Sequence, residues 1–278
     1  MDFRTVVDIP QPDFKIEACE SLLFVGSCFA DAIGQRFLEE KFRAIVNPYG
    51  VMYNPASILH TVQRLVAESA DLKSVKAAFL TLGTNHVYRL KETGEIVDNC
   101  QKRPQTLFQE ETLSVDACAD YLQQTIDVLH AQNPEMHIVL TVSPIRYRKY
   151  GYHGSQLSKA TLLLATEKVD ADYFPAYEIV NDELRDYRFY SDDMIHLSKT
   201  AEEYIFERMV ETYCDSTTRE NIAKVEKFLK MANHRIIGSD ADKIRAFAEQ
   251  QLACATELEK QIPGLDLAQE KDNCKKLC

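Results

Sequence analysis

Apolar residues gather into short runs at positions 22–25, 77–82, 138–142 and, more weakly, 173–180. Between them apolar positions recur at helical spacing over about 30–42, 55–69, 113–131 and 156–168, and a further stretch of this kind covers 198–213. Residues three and four apart share one face of a helix, whereas a short continuous apolar run suits a strand covered on both faces. Boundary residues agree with this division. Asn54-Pro55 places Pro at a helix start, and Ser114 precedes a stripe of Val115, Cys118, Leu122, Ile126 and Leu129. Strands alternating with helices imply βαβ units and a mostly parallel sheet.

Two regions depart from that rhythm. Over 87–99, Val87-Tyr88-Arg89-Leu90, then Glu92-Thr93-Gly94, then Glu95-Ile96-Val97 reads as a β-hairpin inserted after the second clear strand, placed to shape a pocket rim. Near the C-terminus, Ile222, Val225, Phe228 and Leu229 form one helical stripe. Gly238-Ser239 ends that helix and starts another, with Ser239 and Asp242 spaced as a capping box. Ile244, Phe247, Ala248, Gln251 and Leu252 follow, and Ile262-Pro263-Gly264 stops the second helix before a polar tail. The expected organisation is an α/β domain over 1–214 and a helical extension over 215–278. The extension's apolar stripe suits packing on the core or a homodimer through these helices.

Charge narrows the partners. The chain of 278 residues carries a formal net charge of -11, which argues against nucleic acid or an anionic membrane surface. No apolar run reaches the roughly 18 residues that a membrane span needs. The N-terminus lacks the basic start and apolar core of a secretory signal, so the cytoplasm is the expected compartment. Eight cysteines are scattered without a CxxC pair, which points to reduced, structural thiols and to no metal or cofactor.

In an open parallel sheet, ligands bind beyond the carboxyl ends of the strands. Gly26-Ser27-Cys28, Leu82-Gly83-Thr84-Asn85-His86 and Ser143-Pro144-Ile145-Arg146 each follow an apolar run, and Asp193-Met194-Ile195-His196 precedes the helix beginning near Ser198. Acyl transfer through a covalent intermediate needs a nucleophile, a base, a carboxylate to orient the base, and donors for the oxyanion. Ser27 or Cys28 supplies the nucleophile, His196 the base and Asp193 the orienting carboxylate. The side-chain amide of Asn85 and a backbone N–H at Gly50 are candidate oxyanion donors. Arg146 has the fork geometry to clamp a carboxylate or phosphate. Ser158-Lys159 falls inside a helical pattern, which assigns it to packing. A metal centre from Asp193, His196 and His86 lacks any recognised ligand spacing.

The pentapeptide Gly26-Ser27-Cys28-Phe29-Ala30 resembles the one that names the GSCFA family. Similar segments recur in order: Asn47-Pro48-Tyr49-Gly50 with Tyr53-Asn54-Pro55, Leu82-Gly83-Thr84, Asn99-Cys100, Thr141-Val142-Ser143-Pro144, Ser158-Lys159-Ala160, Tyr173 to Glu178, and Asp193-Met194-Ile195-His196. The resemblance covers about residues 20–210. It implies an SGNH (GDSL-like) hydrolase: a flavodoxin-like three-layer sandwich that hydrolyses or transfers acyl groups on sugars, lipids or small esters. Gly83-Thr84-Asn85 resembles that superfamily's Gly-x-Asn block, with His86 in place of its Asp. Asp193 and His196 match its Asp-x-x-His dyad, and Gly50 loosely matches its second-block glycine. By register, Cys28 stands where the superfamily has its nucleophilic Ser; by the superfamily's chemistry, Ser27 attacks. Both remain open at this point, since neighbouring residues leaving a strand point opposite ways. A catalytically inactive scaffold serving binding or assembly is the competing reading.

Overall fold

The computed structural model describes residues 4–98, 100, 103–233 and 241–276. Its strands, in chain order, are β1 (Ser21–Gly26), β2 (Arg43–Val46), β3 (Val75–Leu82), β4 (His86–Leu90), β5 (Ile96–Val97), β6 (Phe108–Thr112), β7 (His137–Val142) and β8 (Asp172–Tyr173). The helices are α1 (Cys28–Glu39), α2 (Pro55–Ala67), α3 (Val115–Gln132), α4 (Gly151–Thr166), α5 (Ala176–Glu178), α6 (Lys199–Tyr213), α7 (Ser216–Ala232), α8 (Ala241–Gln261) and α9 (Ala268–Lys275).

Five strands form one sheet in the order β2-β1-β3-β7-β8, and every pairing in it is parallel. Counted along the parallel strands alone, this is the 2-1-3-4-5 order of a flavodoxin-like doubly wound fold. Residues of β1 alternate between two cores, because successive side chains of a strand face opposite ways. Leu23 and Val25 join Ile58, Val62, Leu122, Ile126 and Leu162 beneath α2, α3 and α4. Leu22 and Phe24 join Phe37, Phe79, Phe206 and Tyr213 beneath α1 and α6. The second core is aromatic: the Phe24 and Phe79 rings stack with centroids 5.0 Å apart, and Phe206 meets Phe37 edge-on at 5.1 Å.

The side chains of Ser27, Asn54, Ser114 and Ser198 each accept a backbone N–H in the first turn of α1, α2, α3 and α6. The inserted segment is larger than a hairpin. β4 pairs with β5 on one side and with β6 on the other, all antiparallel. The run at 173–180 is not a strand beyond Tyr173. Past Pro175 it turns helical through α5 and a π-helix over Ile179–Leu184, burying Ala176, Ile179 and Val180. β2 follows α1, just past the helix expected over about 30–42, in a stretch to which the apolar pattern assigned no element.

At the C-terminus α7 and α8 pack together as a hairpin, and part of the expected polar tail forms α9. The expected cap at Gly238-Ser239 lies outside the described residues. Val225, Phe228, Ala255, Leu258 and Ile262 make a separate apolar cluster that takes in Cys19 from the loop before β1. An ion pair of 2.5 Å between Lys41 and Glu270 also links α9 to the sheet domain. No described helix is long and apolar enough to cross a membrane.

At Gly26 the exit of β1 is fixed. Its φ is +148°, and a Cβ there would lie 2.2 Å from the backbone oxygen of Thr81 on β3. The Gly26 N–H donates to Asn47 Oδ1 at 2.9 Å, and its carbonyl accepts from Met52 N–H at 2.8 Å. Gly26→Ala is therefore expected to cost ~3 kcal/mol or more, combining backbone strain with a collision that no side-chain rotation relieves. Scanning calorimetry is expected to show a fall in thermal midpoint of roughly 6–12 °C. Gly34→Ala is expected to cost less, since its Cβ would meet the Val46 methyl groups rather than backbone.

Candidate active site

The carboxyl ends of β1 and β3 are neighbours, and the chain leaves them toward opposite sides of the sheet: β1 leads to β2 and β3 leads toward β7. Doubly wound folds place their ligands at such a switch point. Here a cavity of about 260 Å³ opens, with Ser27, Cys28, Tyr53, Gly83, Ser143 and His196 in its wall.

The two candidate nucleophiles occupy different environments. Ser27 is 2% exposed and caps α1. Its Oγ accepts the Phe29 N–H at 3.2 Å and donates to Ser143 Oγ at 3.0 Å, so both hydroxyl functions are engaged. Ser143 Oγ in turn accepts the Ile145 N–H. Cys28 is the first residue of α1 and is partly exposed. Its Sγ lies 3.6 Å from the Tyr53 hydroxyl. The opening N–H groups of a helix have no intrahelical acceptor, and they favour negative charge beside them.

His196 reaches the cavity on a tight loop. Tyr190 and Leu197 pair across its base, and the Ser191 N–H donates to the His196 carbonyl at 2.8 Å. Asp193 organises the tip. Its Oδ1 accepts the N–H groups of Ile195 and His196 at 2.8 and 2.9 Å, while Oδ2 meets His196 Nδ1 at 2.6 Å. The imidazole bond and these two N–H donors hold the Asp193 carboxyl down at about 2. Nδ1 is thereby engaged by a carboxylate, leaving Nε2 as the ring nitrogen for a substrate or nucleophile proton.

Other expected residues lie elsewhere. Asn85 is buried, and its amide donates to the Leu113 carbonyl at 2.8 Å, closing the corner between β3 and β4. The Leu113 N–H returns a bond to the Asn85 carbonyl. Asn85 does not line the cavity. Gly50 does not line it either; its N–H donates to the Asn47 carbonyl at 2.8 Å, within the turn that supports Gly26. Gly83 does line it, with its N–H bonded to the Tyr53 carbonyl. Arg146 sits at the mouth, donating to the Met194 carbonyl at 3.1 Å.

Tyr53 gained no role from sequence spacing, and Lys159 only a packing one. Tyr53 heads an aromatic file: Tyr147 meets it edge-on at 6.0 Å, Tyr150 stacks on Tyr147 at 5.3 Å, and His86 stacks on Tyr150 at 3.6 Å. Burial and the adjacent Cys28 keep the Tyr53 hydroxyl protonated well above the usual phenol range. Lys159, 2% exposed on α4, donates from Nζ to the Gly83 carbonyl at 2.6 Å. Its neighbour Ser158 binds Thr84 Oγ1 and the Asn85 N–H, both at 3.0 Å. Ser158-Lys159 thus fastens α4 to the loop after β3. Both residues belong to segments that the family resemblance had marked, which was their one signal.

Among the described residues no group of three or more His, Cys, Asp or Glu side chains is placed to hold a metal. A larger cleft, about 1180 Å³, lies at the other end of α1. Seven glutamates, among them Glu39, Glu203 and Glu270, make it acidic, and its wall contains no thiol or imidazole.

The class of protein follows from this arrangement: a doubly wound α/β protein with a thiol and an Asp-His pair at the ends of its parallel strands. The GSCFA family matches over residues 21–75 and 63–209, and the chain belongs to that family. No curated protein matches it. Solved structures similar to it include a protein described as a GDSL-like lipase from Parabacteroides merdae (12% identity, 73% of this chain and 99% of that one, TM-score 0.45). A carbohydrate esterase family 3 protein from Talaromyces cellulolyticus is similar at 9% identity, over 75% of this chain and 99% of that one, with a TM-score of 0.40. A variant of an acetyl-xylooligosaccharide esterase from Geobacillus Stearmophilus is similar at 11% identity, over 73% and 100%, with a TM-score of 0.43. At these values the likeness assigns nothing to this chain.

Lys159 makes the site's support sensitive to pH. Burial pushes its ammonium down from 10.5 to about 7. Between those values the unfolded chain binds the proton and the folded chain does not, so this residue's contribution to stability rises with pH across that window. The thermal midpoint of the parent protein, measured relative to Lys159→Met, is expected to climb from pH 7 to pH 10. A constant difference would show that Lys159 keeps one protonation state throughout.

Proposed function

We propose that this protein is an acyl esterase or acyltransferase of the SGNH type that uses Cys28 as nucleophile. The carrying observation is that Cys28 and His196 share one cavity while the Ser27 hydroxyl is engaged on both sides. Cys28 Sγ attacks the carbonyl carbon of an ester or thioester, and its proton passes to His196 Nε2. Asp193 stabilises the imidazolium that forms. The oxyanion is met by the Cys28 N–H at the start of α1 and by the Tyr53 hydroxyl, which takes the role expected of the Asn85 amide. The tetrahedral intermediate collapses, the bond from the acyl carbon to the leaving oxygen (sulfur for a thioester) breaks, and imidazolium returns the proton to that departing atom. Water or an acceptor hydroxyl then attacks the thioester, and Cys28 is regenerated. The substrate is a small-molecule, carbohydrate or lipid ester, and no metal or cofactor takes part.

A second reading treats the same scaffold as a binding or assembly protein. It is favoured by one observation: Asn85 and Gly50, the two donors expected from the superfamily, are both committed to other bonds.

Kinetics separate these readings. Hydrolysis of short-chain p-nitrophenyl esters and of a simple acyl thioester is expected, with an acyl group recoverable on Cys28 by mass spectrometry. His196→Ala is expected to lower kcat/KM by ~10²–10⁴-fold, and Cys28→Ala to remove the acyl-enzyme. Ser27→Ala is expected to keep the acyl-enzyme while losing about 1 kcal/mol of stability with the helix cap. Loss of the acyl-enzyme in Ser27→Ala but not in Cys28→Ala would move the nucleophile to Ser27. Equal turnover in parent and His196→Ala would leave only the binding reading.

Iodoacetamide supplies an independent check on the thiol. Alkylation of Cys28, followed by peptide mapping, is expected to be faster than that of the buried Cys118 and Cys214, whose thiols burial pushes up to about 12. It is also expected to slow in His196→Ala. Modification of Cys28 at the same rate with and without His196 would show that the two do not act together.

A further inference from the structure

Most arginines of this protein stand beside carboxylates, as its excess of acid predicts. Arg36 binds Glu39, Glu40 and Glu203; Arg64, Arg89 and Arg188 bind Glu68, Glu111 and Asp186. The mouth of the Cys28 cavity is different. Arg146, Arg148 and Lys149 line it, and no Asp or Glu does. Lys149 has Glu110 at 3.3 Å, but the two arginines have no carboxylate partner among the described residues.

Arg146 is held in place without being neutralised. One N–H donates to the Met194 carbonyl, and the guanidinium lies over the rings of Tyr152 at 4.3 Å and Tyr190 at 5.3 Å. A guanidinium has five N–H donors, so most of Arg146's remain for a ligand. Arg148 is exposed, at the start of the short 3₁₀ turn Arg148–Tyr150, and its side chain has no hydrogen bond, ion pair or ring contact among the described residues. In a chain with 43 acidic and 32 basic residues, two unpaired guanidinium groups at one cavity run against the overall balance. A cleft lined by one sign of charge concentrates ligands of the opposite sign. A planar guanidinium matches a group with two terminal anionic oxygens better than it matches a hydroxyl.

We infer that the substrate carries an oxyanion group, a carboxylate or a phosphate, close to the acyl carbon, and that Arg146 and Arg148 bind it. The inference rests on the proposed acyl chemistry only for the identity of the reacting carbon. Anion recognition at this cavity stands on the charges themselves.

The test uses two alkylating reagents that differ in charge. Iodoacetate and iodoacetamide both deliver a carbon to Sγ with loss of iodide, but only iodoacetate bears a carboxylate. Rates are read at Cys28 by mass spectrometry and normalised to the same peptide in the denatured protein. The expected iodoacetate-to-iodoacetamide ratio is at least about tenfold above the denatured reference, falling toward unity in Arg148→Gln and further in the Arg146→Gln/Arg148→Gln pair. Raising salt should compress the ratio. Circular dichroism confirms that the variants fold. A ratio near unity in the parent protein, or one unchanged in both variants, overturns the inference. Should Cys28 resist both reagents, isothermal titration with inorganic phosphate decides: binding weakened in Arg148→Gln supports anion recognition, and no binding overturns it. A charge-dependent ratio without ester hydrolysis would remove the acyl chemistry and keep the anion site. Hydrolysis of neutral and anionic esters at equal kcat/KM would do the reverse.

Discussion

Everything at the cavity depends on the contact between the end of β1 and the backbone of β3. At Gly26 the two chains approach more closely than any side chain permits. Asn47 and Met52 then bind both backbone groups of Gly26. With that residue held, the turn has one way to leave the sheet. Ser27 is driven inward as the cap of α1, and Cys28 is delivered to the open side at the first position of the helix. The contrast between the two side chains is thus a consequence of backbone geometry. The Asn47-to-Gly50 turn contributes as a brace for this exit rather than as a donor to substrate.

Three separate elements line the cavity beside Cys28, and each is anchored differently. Tyr53 leads into α2 and is backed by a file of rings that ends at His86. Aromatic pairs of this kind each add about 0.5–1.5 kcal/mol beyond buried area. The His196 loop is a self-contained hydrogen-bonded unit, tied to the strand-end segment after β7 through Arg146 and the Met194 carbonyl. The loop after β3 is fastened from below by Ser158 and Lys159. The loop after β3 is thus held by buried polar bonds, and the His196 loop by exposed ones within its own turn.

The parallel sheet was legible because β1, β3 and β7 are continuous apolar runs, as strands buried on both faces must be. β2 was not, being a four-residue edge strand with no fully buried residue. β6 was invisible for another reason: of Phe108–Thr112 only Phe108 is buried. The segment after Tyr173 misled because Tyr, Phe and Val favour strands, although Ala176, Ile179 and Val180 are spaced for a helix face. The dyad of Asp193 and His196 was readable since it is local in sequence. The amide of Asn85 is turned away from the cavity by its bond to Leu113, a contact 28 residues away in the chain that no local pattern reveals. The different burial of Ser27 and Cys28 follows from the backbone at Gly26, which periodicity does not carry.

The aromatic file has a spectroscopic consequence. The chain contains 13 tyrosines and no tryptophan. Its intrinsic ultraviolet emission therefore comes from phenol rings alone, with no indole to drain their excitation. Tyr53, Tyr147 and Tyr150 stand in series from the thiol outward. Two of these rings, Tyr53 and Tyr147, line the cavity, so part of the protein's own emission arises in its wall.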